Sequence, residues 1–523
     1  MSDEPRLHGA ATAEGTRRGS GSFEAGARGL GRTGYTVSPI GFGGYRVRDD
    51  SPVHRRALAD ALRGGVNLID TSTNYGDGAS ERLVGLVLAN LVQQGEVRRE
   101  QVVVVSKAGY LQGSNLARAK ARAQAPEGAF DEVVELSDDL HHCIHPEFLR
   151  AQLTESLQRM GLTRLDVLLL HNPEYFLEDA AARGVEPSAA RAEYRRRIAA
   201  AFTHLEGEVA DGRIGWYGVS SNGLSLPATA TTHTSTAELL AAAEQAAGAG
   251  HHLGVLQLPM NLLELGAMTH DQADVQRSAL ALAAAADLGV LANRPLNAWG
   301  IVDGHERLVR LADVGGPGAG AQPDAAVHEA LARARKLEAQ WATGLGKRLT
   351  TEGGDDAVDL FRWAQELSRA LPQLSSPEQW QQVRHEVIAP HLGRTSAALL
   401  GTLEGETKHE FAQWWEAYGT ALHGVFGAVE QHLGREHRAL AEHLAERLDP
   451  HLPPPWRTLP LSRKAVLSLL CAPISSVLVG MRQPGYVADM LSLREHPVRL
   501  LSAAAGAADL HAVAEAFEPL TAR

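Results

Sequence analysis

The sequence predicts an α/β fold: a (β/α)8 TIM barrel with an inserted all-helical subdomain between strands 7 and 8. Three observations predict it. Eight short apolar runs end in polar residues or glycine and alternate with helical patterns, the order expected of a parallel sheet. The runs are nearly continuous, as in "QVVVVSK" (101–107) and "LDVLLLH" (165–171), which suits strands covered on both faces. The seventh and eighth runs lie roughly 180 residues apart, several times a normal barrel connection, and the sequence between them is mostly helical in pattern.

Residues 1–30 are rich in Gly, Ala, Ser and Arg without a sustained period and are expected to form an irregular N-terminal arm. Barrel strands 1–7 are expected within residues 31–302. The strand runs are 36–44, 66–70, 101–107, 165–171, 213–220, 253–258 and 289–294, with helical patterns near 53–64, 79–93, 147–160, 191–211, 235–247 and 273–286. Pro146 suits the first turn of the third helix, and Asp211–Gly212 closes the fourth. Residues 303–456 form the helical insertion, with patterns over 325–342, 356–371, 376–392 and 406–448. Five of the eight tryptophans fall there (Trp341, Trp363, Trp380, Trp414, Trp415), so the insertion can bury a core of its own. "HLPPPW" (451–456) punctuates the return to the barrel. Residues 457–523 supply strand 8 (475–480) and helices near 461–471 and 485–495. A dinucleotide-binding doubly wound start would need G-x-G-x-x-G, and "GFGGYR" (41–46) lacks the third glycine and opens no helix.

Composition narrows the function class. A net charge of −12 and a pI near 6.0 argue against nucleic acid or an anionic membrane surface as partner. Two distant cysteines, Cys143 and Cys471, form no disulfide framework and point to a reducing cytoplasm. No signal peptide is read, and the longest alanine-rich stretch (278–292) contains Asp287 and is too short to span a membrane. The expected protein is soluble and cytoplasmic.

In such a barrel the functional groups gather at the C-terminal ends of strands. Asp70 ends strand two and Tyr75 lies in the loop after it; Lys107 ends strand three and His171 ends strand four. Each has a plain structural explanation: a turn or cap for Asp70, packing for Tyr75, a satisfied polar group for His171. Lys107 is harder to explain so. It follows four valines in a chain with only six lysines among fifty basic residues, and a lysine at the mouth of an apolar strand must be paired or functional. Its compact ammonium can approach a phenol where a guanidinium fork would not substitute.

Together "NLIDTSTNYGDGASERLVG" (67–85), "VVVVSKAG" (102–109), "DVLLLHNPE" (166–174) and "GWYGVSSN" (215–222) resemble the aldo-keto reductase superfamily. The resemblance runs from about residue 30 to 300 and resumes from about 459 to 495. It implies a barrel that binds NADPH, with NADP preferred over NAD, and reduces an aldehyde or ketone. It places the catalytic tetrad on Asp70, Tyr75, Lys107 and His171: Tyr75 as proton donor, Lys107 lowering its pKa, Asp70 anchoring Lys107, and His171 orienting the carbonyl. It also implies that Ser220 or Ser221 with Asn222, and Gln257 on strand six, meet the nicotinamide carboxamide. "NRPLNA" (293–298) resembles the pyrophosphate-side segment, with Arg294, Pro295 and Leu296 as contacts. The family usually stacks an aromatic ring on the nicotinamide near this place, where this chain has Asn293. After strand eight, Gly480 and Arg482 in "GMRQP" (480–484) precede a helix start suited to the adenosine 2′-phosphate.

"HHCIHP" (141–146) offers His141, His142, Cys143 and His145, but the spacing matches no structural zinc pattern, so no metal site is expected. His145 is expected to cap the next helix, and the long segment 110–145 to form part of a substrate lid. The expected partner is a small carbonyl or alcohol; the insertion is a candidate surface for a protein partner or self-association. Two other classes are kept in view: a nicotinamide-binding redox sensor or scaffold, and a metal-dependent barrel hydrolase.

Overall fold

The computed structural model describes residues 6–23, 26–272, 276–302, 304–312, 325–351, 357–374, 377–496 and 509–521. The chain divides into two compact units, Met1–Ile301 with Leu448–Arg523, and Val302–Arg447. Among the described residues no helix is long and apolar enough to cross a membrane.

The first unit is a closed eight-stranded parallel barrel. Its strands are β1 (Ile40–Gly43), β2 (Leu68–Asp70), β3 (Val103–Ala108), β4 (Leu165–His171), β5 (Ile214–Ser220), β6 (Leu253–Pro259), β7 (Gly289–Asn293) and β8 (Ser476–Val479). Each pairs with the next in parallel, and β8 closes on β1 with Val477 opposite Ile40. Every residue of β3 and β4 is buried, so these strands show no apolar–polar alternation. Helices Pro52–Arg63, Ala79–Gln93, Pro146–Met160, Pro187–Ala210, Thr236–Ala247, Ala279–Ala285, Leu461–Leu469 and Pro484–Leu491 complete the repeat. The helix expected over 273–286 is observed over its last part; residues 273–275 lie outside the described ones.

The first predicted run, 36–44, is two strands. Thr36–Val37 pairs antiparallel with Arg28–Gly29, and only Ile40–Gly43 enters the barrel. Pro39, which has no N–H for a ladder, separates them. The Ser38 hydroxyl donates to the Ile40 carbonyl at 2.7 Å and turns the chain.

The arm expected to be irregular carries a helix, Ala13–Gly19, capped by Thr12, whose Oγ1 accepts from the Gly15 amide at 2.9 Å. Gly15 and Gly19 give poor helix propensity, so the sequence shows no helical signal and tertiary packing decides. Gly15 lies so close to the Glu100 carbonyl that a Cβ would sit 2.3 Å from that oxygen. Ala11, Leu30, Tyr35 and Val37 pack with Leu68, Val103, Val105, Val167, Leu169, Val255, Leu291 and Leu478 in one cluster. Asp166, fully buried near the start of β4, fastens this floor. Its carboxylate accepts from the Ala11 amide, the Val104 amide and the Arg99 guanidinium, each at 2.7 Å.

The second unit opens with a strand, His305–Arg310, and is otherwise helical among its described residues. Helices Ala325–Thr343, Trp363–Ala370, Ala389–Thr402 and Gly405–Leu448 surround a core of Trp341, Phe361, Trp380, Phe411, Tyr418 and Val425. Buried Glu338 accepts from the Tyr418 hydroxyl at 2.8 Å and the Ala364 amide at 2.6 Å. It thereby caps helix Trp363–Ala370, whose own preceding residue supplies no side-chain cap.

Asp166→Ala strands a buried guanidinium and two buried amides. Removing one partner of a buried pair costs about 3–5 kcal/mol, and equilibrium denaturation of the variant should show a loss of that order.

Candidate active site

The mouth of the barrel is built from the ends of β2 to β7. After Asp70 the backbone turns through Ser72, and three successive left-handed residues follow Tyr75: Gly76 (φ 58), Asp77 (φ 54) and Gly78 (φ 80). These let the chain reverse into helix Ala79–Gln93 within three residues. The turn holds Tyr75 over the end of β3.

Lys107 has no solvent exposure. Its Nζ donates to Asp70 Oδ2 at 2.8 Å, to the Thr71 carbonyl at 3.0 Å and to Tyr75 Oη at 3.0 Å. An ammonium has three hydrogens, and all three are used. Because Tyr75 Oη accepts from Lys107, its own hydrogen must point elsewhere.

Burial raises the Asp70 carboxyl above its ordinary range, with Lys107 and Gln257 opposing. Burial works against the Lys107 ammonium too, but Asp70 and Tyr75 outweigh it and leave its pKa raised. Lys107 pulls the Tyr75 pKa down, as expected, but it does not set the net direction. Burial is the larger effect and raises it, with Lys107 only partly offsetting. The phenol therefore keeps its proton throughout the neutral range.

His171 is buried beside this group, its ring edge-on to Tyr75 at 6.1 Å and to Tyr110 at 4.6 Å between centroids. Burial, then the charge of Lys107, holds its pKa well below the ordinary value, so the imidazole is neutral. Its Nδ1 lies 3.1 Å from Ser72 Oγ, which itself donates to Asn74 Oδ1 at 2.7 Å. The His171 carbonyl accepts from His142 Nε2 at 2.7 Å. The remaining mouth wall is aromatic: Tyr110 donates to Tyr175 Oη at 3.0 Å, and Tyr45, well exposed, meets Tyr75 edge-on at 5.3 Å.

The residues expected to bind a cofactor fall in three places. At the ends of β5 and β6, Ser220 Oγ donates to Gln257 Oε1 at 3.0 Å, and Gln257 Nε2 donates to Asp70 Oδ1 at 2.7 Å. Ser221 is turned away, donating to Thr234 Oγ1 at 2.9 Å and accepting from the Gly223 amide. Asn222 is exposed, its amide held by Glu174 Oε1 at 2.8 Å. Beyond β7, Arg294 adopts a left-handed backbone (φ 54) and pairs with Glu264 at 2.7 Å, while Pro295 is buried and Leu296 half-buried. Beyond β8, Gly480 is exposed and Arg482 half-buried, next to helix Pro484–Leu491; that helix's first amides have no side-chain cap.

Four contributors were not singled out from the sequence: Ser72, Tyr110, Asn172 and Glu174. Glu174 is buried, with its carboxyl raised by burial, and holds both Asn172 Nδ2 and the Asn222 amide at 2.8 Å. All four lie within three residues of a strand end, the signal that could have marked them. Residues 110–145 are more ordered than a plain loop. They hold helix Gly113–Ala123 and a small antiparallel sheet of Tyr110–Leu111, Leu140–His142 and Val134–Ser137. His145 occupies the N-cap position of Pro146–Met160 but its side chain makes no cap hydrogen bond, contrary to expectation. Among the described residues no group of three His, Cys, Asp or Glu side chains is placed to hold a metal.

His142 supplies a measurable pH effect. Burial pushes its pKa from 6.5 down to about 4. The unfolded chain therefore binds a proton that the folded chain does not, and this site makes stability fall as pH drops from 6.5 towards 4. Comparing His142→Phe with the parent by denaturation at pH 6.5, 5.5 and 4.5, the variant's slope should be shallower by up to about 1.4 kcal/mol per pH unit.

The model of the family described as "Aldo/keto reductase family" matches residues 39–311. The NADH-specific methylglyoxal reductase of Escherichia coli (strain K12) is 30% identical over 150 residues, which cover 27% of this chain and 40% of that protein. The D-threo-aldose 1-dehydrogenase of a Pseudomonas species is 30% identical over 166 residues, 30% of this chain and 46% of that protein. The matched segments thus span less than half the length of these two relatives. Among solved structures, a glycerol dehydrogenase from Gluconobacter oxydans aligns over 89% of both chains at 16% identity, with a TM-score of 0.43.

Proposed function

The chain belongs to the aldo/keto reductase family, and on that premise we propose that it is a nicotinamide-dependent reductase of small aldehydes or ketones, with Tyr75 as proton donor. The observation that carries this reading is the saturation of Lys107. With its three hydrogens on Asp70, Thr71 and Tyr75, the Tyr75 oxygen is an acceptor towards Lys107 and a donor only towards the mouth.

The nicotinamide, when bound, supplies hydride to the carbonyl carbon. Tyr75 gives its phenolic proton to the carbonyl oxygen as negative charge develops there, and solvent later restores it. Lys107 stabilises the phenolate left behind, and Asp70 keeps Lys107 charged and in place. His171 is neutral and buried beside Tyr75, and its ring would position the substrate oxygen against the phenol.

The residues present fit a dinucleotide. Asn293 Oδ1, Asn297 Oδ1 and Arg294 Nε, at and beyond the end of β7, are buried polar atoms without a described hydrogen-bond partner, acceptors and a donor of the kind an amide and a pyrophosphate require. Ser220, Gln257 and Asn222 would hold the carboxamide; Ser221, engaged with Thr234, would act only through the loop. Arg294, Pro295 and Leu296 would flank the pyrophosphate. Gly480, Arg482 and the first amides of Pro484–Leu491 would hold a 2′-phosphate, which favours NADPH over NADH. The Escherichia coli relative, NADH-specific by name, makes this preference the point to measure. A second reading, a nicotinamide-binding sensor or scaffold, draws on the separately cored unit Val302–Arg447 and predicts cofactor binding without turnover.

Tyr75→Phe should lower turnover of NADPH with a panel of aldehydes by about 10²–10⁴-fold, the usual range for a positioned acid. Its NADPH dissociation constant, read by fluorescence titration, should stay within a few-fold. Retained turnover sinks the assignment, and a parent that binds NADPH but oxidises it with no aldehyde favours the sensor. Arg482→Ala should weaken NADPH by at least about tenfold while leaving NADH nearly unchanged; equal losses for both would remove the 2′-phosphate role.

A further inference from the structure

We propose that Gln257 is a positioning residue of the proton-donating group: its side-chain amide keeps Asp70 ionised, and through Asp70 it keeps Lys107 charged against Tyr75. This goes beyond its expected contact with a nicotinamide carboxamide. It rests on the carbonyl-reductase reading, which is what makes the charge state of Lys107 matter.

The geometry fixes which way the amide faces. Gln257, 1% exposed, has its Oε1 taken by two donors, Ser220 Oγ at 3.0 Å and Asn293 Nδ2 at 3.2 Å. Its Nε2 lies 2.7 Å from Asp70 Oδ1. Turning the amide over would set Oε1 against a carboxylate oxygen and the NH2 against the Asn293 NH2. The first contact is repulsive whatever Ser220 and Asn293 do, so the Asp70 carboxylate itself fixes the donor towards it, and Ser220 and Asn293 donate to the opposite oxygen. Asn293 is one of the two donors to Gln257 Oε1 in this arrangement.

Both oxygens of Asp70 then face N–H donors, Oδ2 the ammonium and Oδ1 the amide. A protonated Asp70 would find no described acceptor for its hydrogen, so the arrangement favours the carboxylate against the effect of burial. The described titratable groups facing Asp70 are Lys107 and Tyr75. His171 faces Lys107 and Tyr75 from β4, and Tyr45 faces Tyr75 from beyond β1. Gln257, on β6, is the neutral member of the set and the described contact to Asp70 from the far half of the barrel.

The test is the titration of Asp70 itself, read by carbon NMR of the full chain with 13C-carboxyl aspartate, the Asp70 signal assigned by its loss in Asp70→Asn. Gln257→Leu removes the donor, and the Asp70 midpoint should rise by at least one pH unit. Gln257→Met serves as the second removal if the leucine variant does not fold. In parallel, the pH profile of single-turnover NADPH oxidation should gain an acid limb displaced upward by the same amount. An unchanged Asp70 midpoint, even with a loss of thermal stability, overturns the proposal and leaves Gln257 a structural residue. A shifted midpoint in a protein whose parent oxidises NADPH with no carbonyl keeps the Gln257 assignment and removes the reductase reading, so the two fail separately.

Discussion

Everything at the mouth of the barrel depends on one buried ammonium. Lys107 follows an apolar run on β3 and has no exposure to water, a position where an isolated charge would shed its proton. It keeps the proton because Asp70 lies 2.8 Å away on the neighbouring strand, and Asp70 in turn is held by Gln257 from β6. The pair is no source of large net stability, since desolvating two ions offsets most of their attraction. Its consequence is positional. One phenol is fixed with its oxygen against the ammonium and its hydrogen directed outward.

The two ends of the strands divide the work. β4 shows the division within seven residues: Asp166 near its start gathers the floor, and His171 at its end belongs to the mouth. Both are buried polar groups in apolar strands, and each has its partners. At the floor the partners are the Ala11 and Val104 amides and Arg99, which tie the N-terminal helix segment and β3 together. At the mouth they are mobile-proton groups, Ser72, Tyr75 and Lys107. This is the usual arrangement of such barrels, with a floor that holds the fold and the candidate site at the opposite face.

The neutral, aromatic character of the mouth follows from the same logic. Burial holds His171 and His142 uncharged and keeps Tyr75 protonated. The histidine-rich stretch at 141–146 is spread over a short strand and the segment after it. His142 turns inward to the His171 carbonyl, and Cys143 is buried against the Asp131 carbonyl. Neighbouring residues on an extended chain point to opposite faces, so adjacency in sequence works against a shared ligand.

The sequence by itself determined the barrel, the interruption before its last strand, and the places of four polar side chains at strand ends or in the loop after one. These are legible because strands buried on both faces leave continuous apolar runs, and a polar residue closing such a run is conspicuous. Asp70, Lys107 and His171 each close one. It did not determine the helix at Ala13–Gly19, whose glycines hide it, or the break at Pro39. Nor did it show that burial would raise Tyr75 against the pull of Lys107, or that Gln257 would face Asp70 while Ser221 turned towards Thr234. Those outcomes depend on distances between residues 13 to 187 positions apart. Only barrel closure sets such distances, and a hydrogen bond or a desolvated charge is decided by tenths of an ångström that no local pattern encodes.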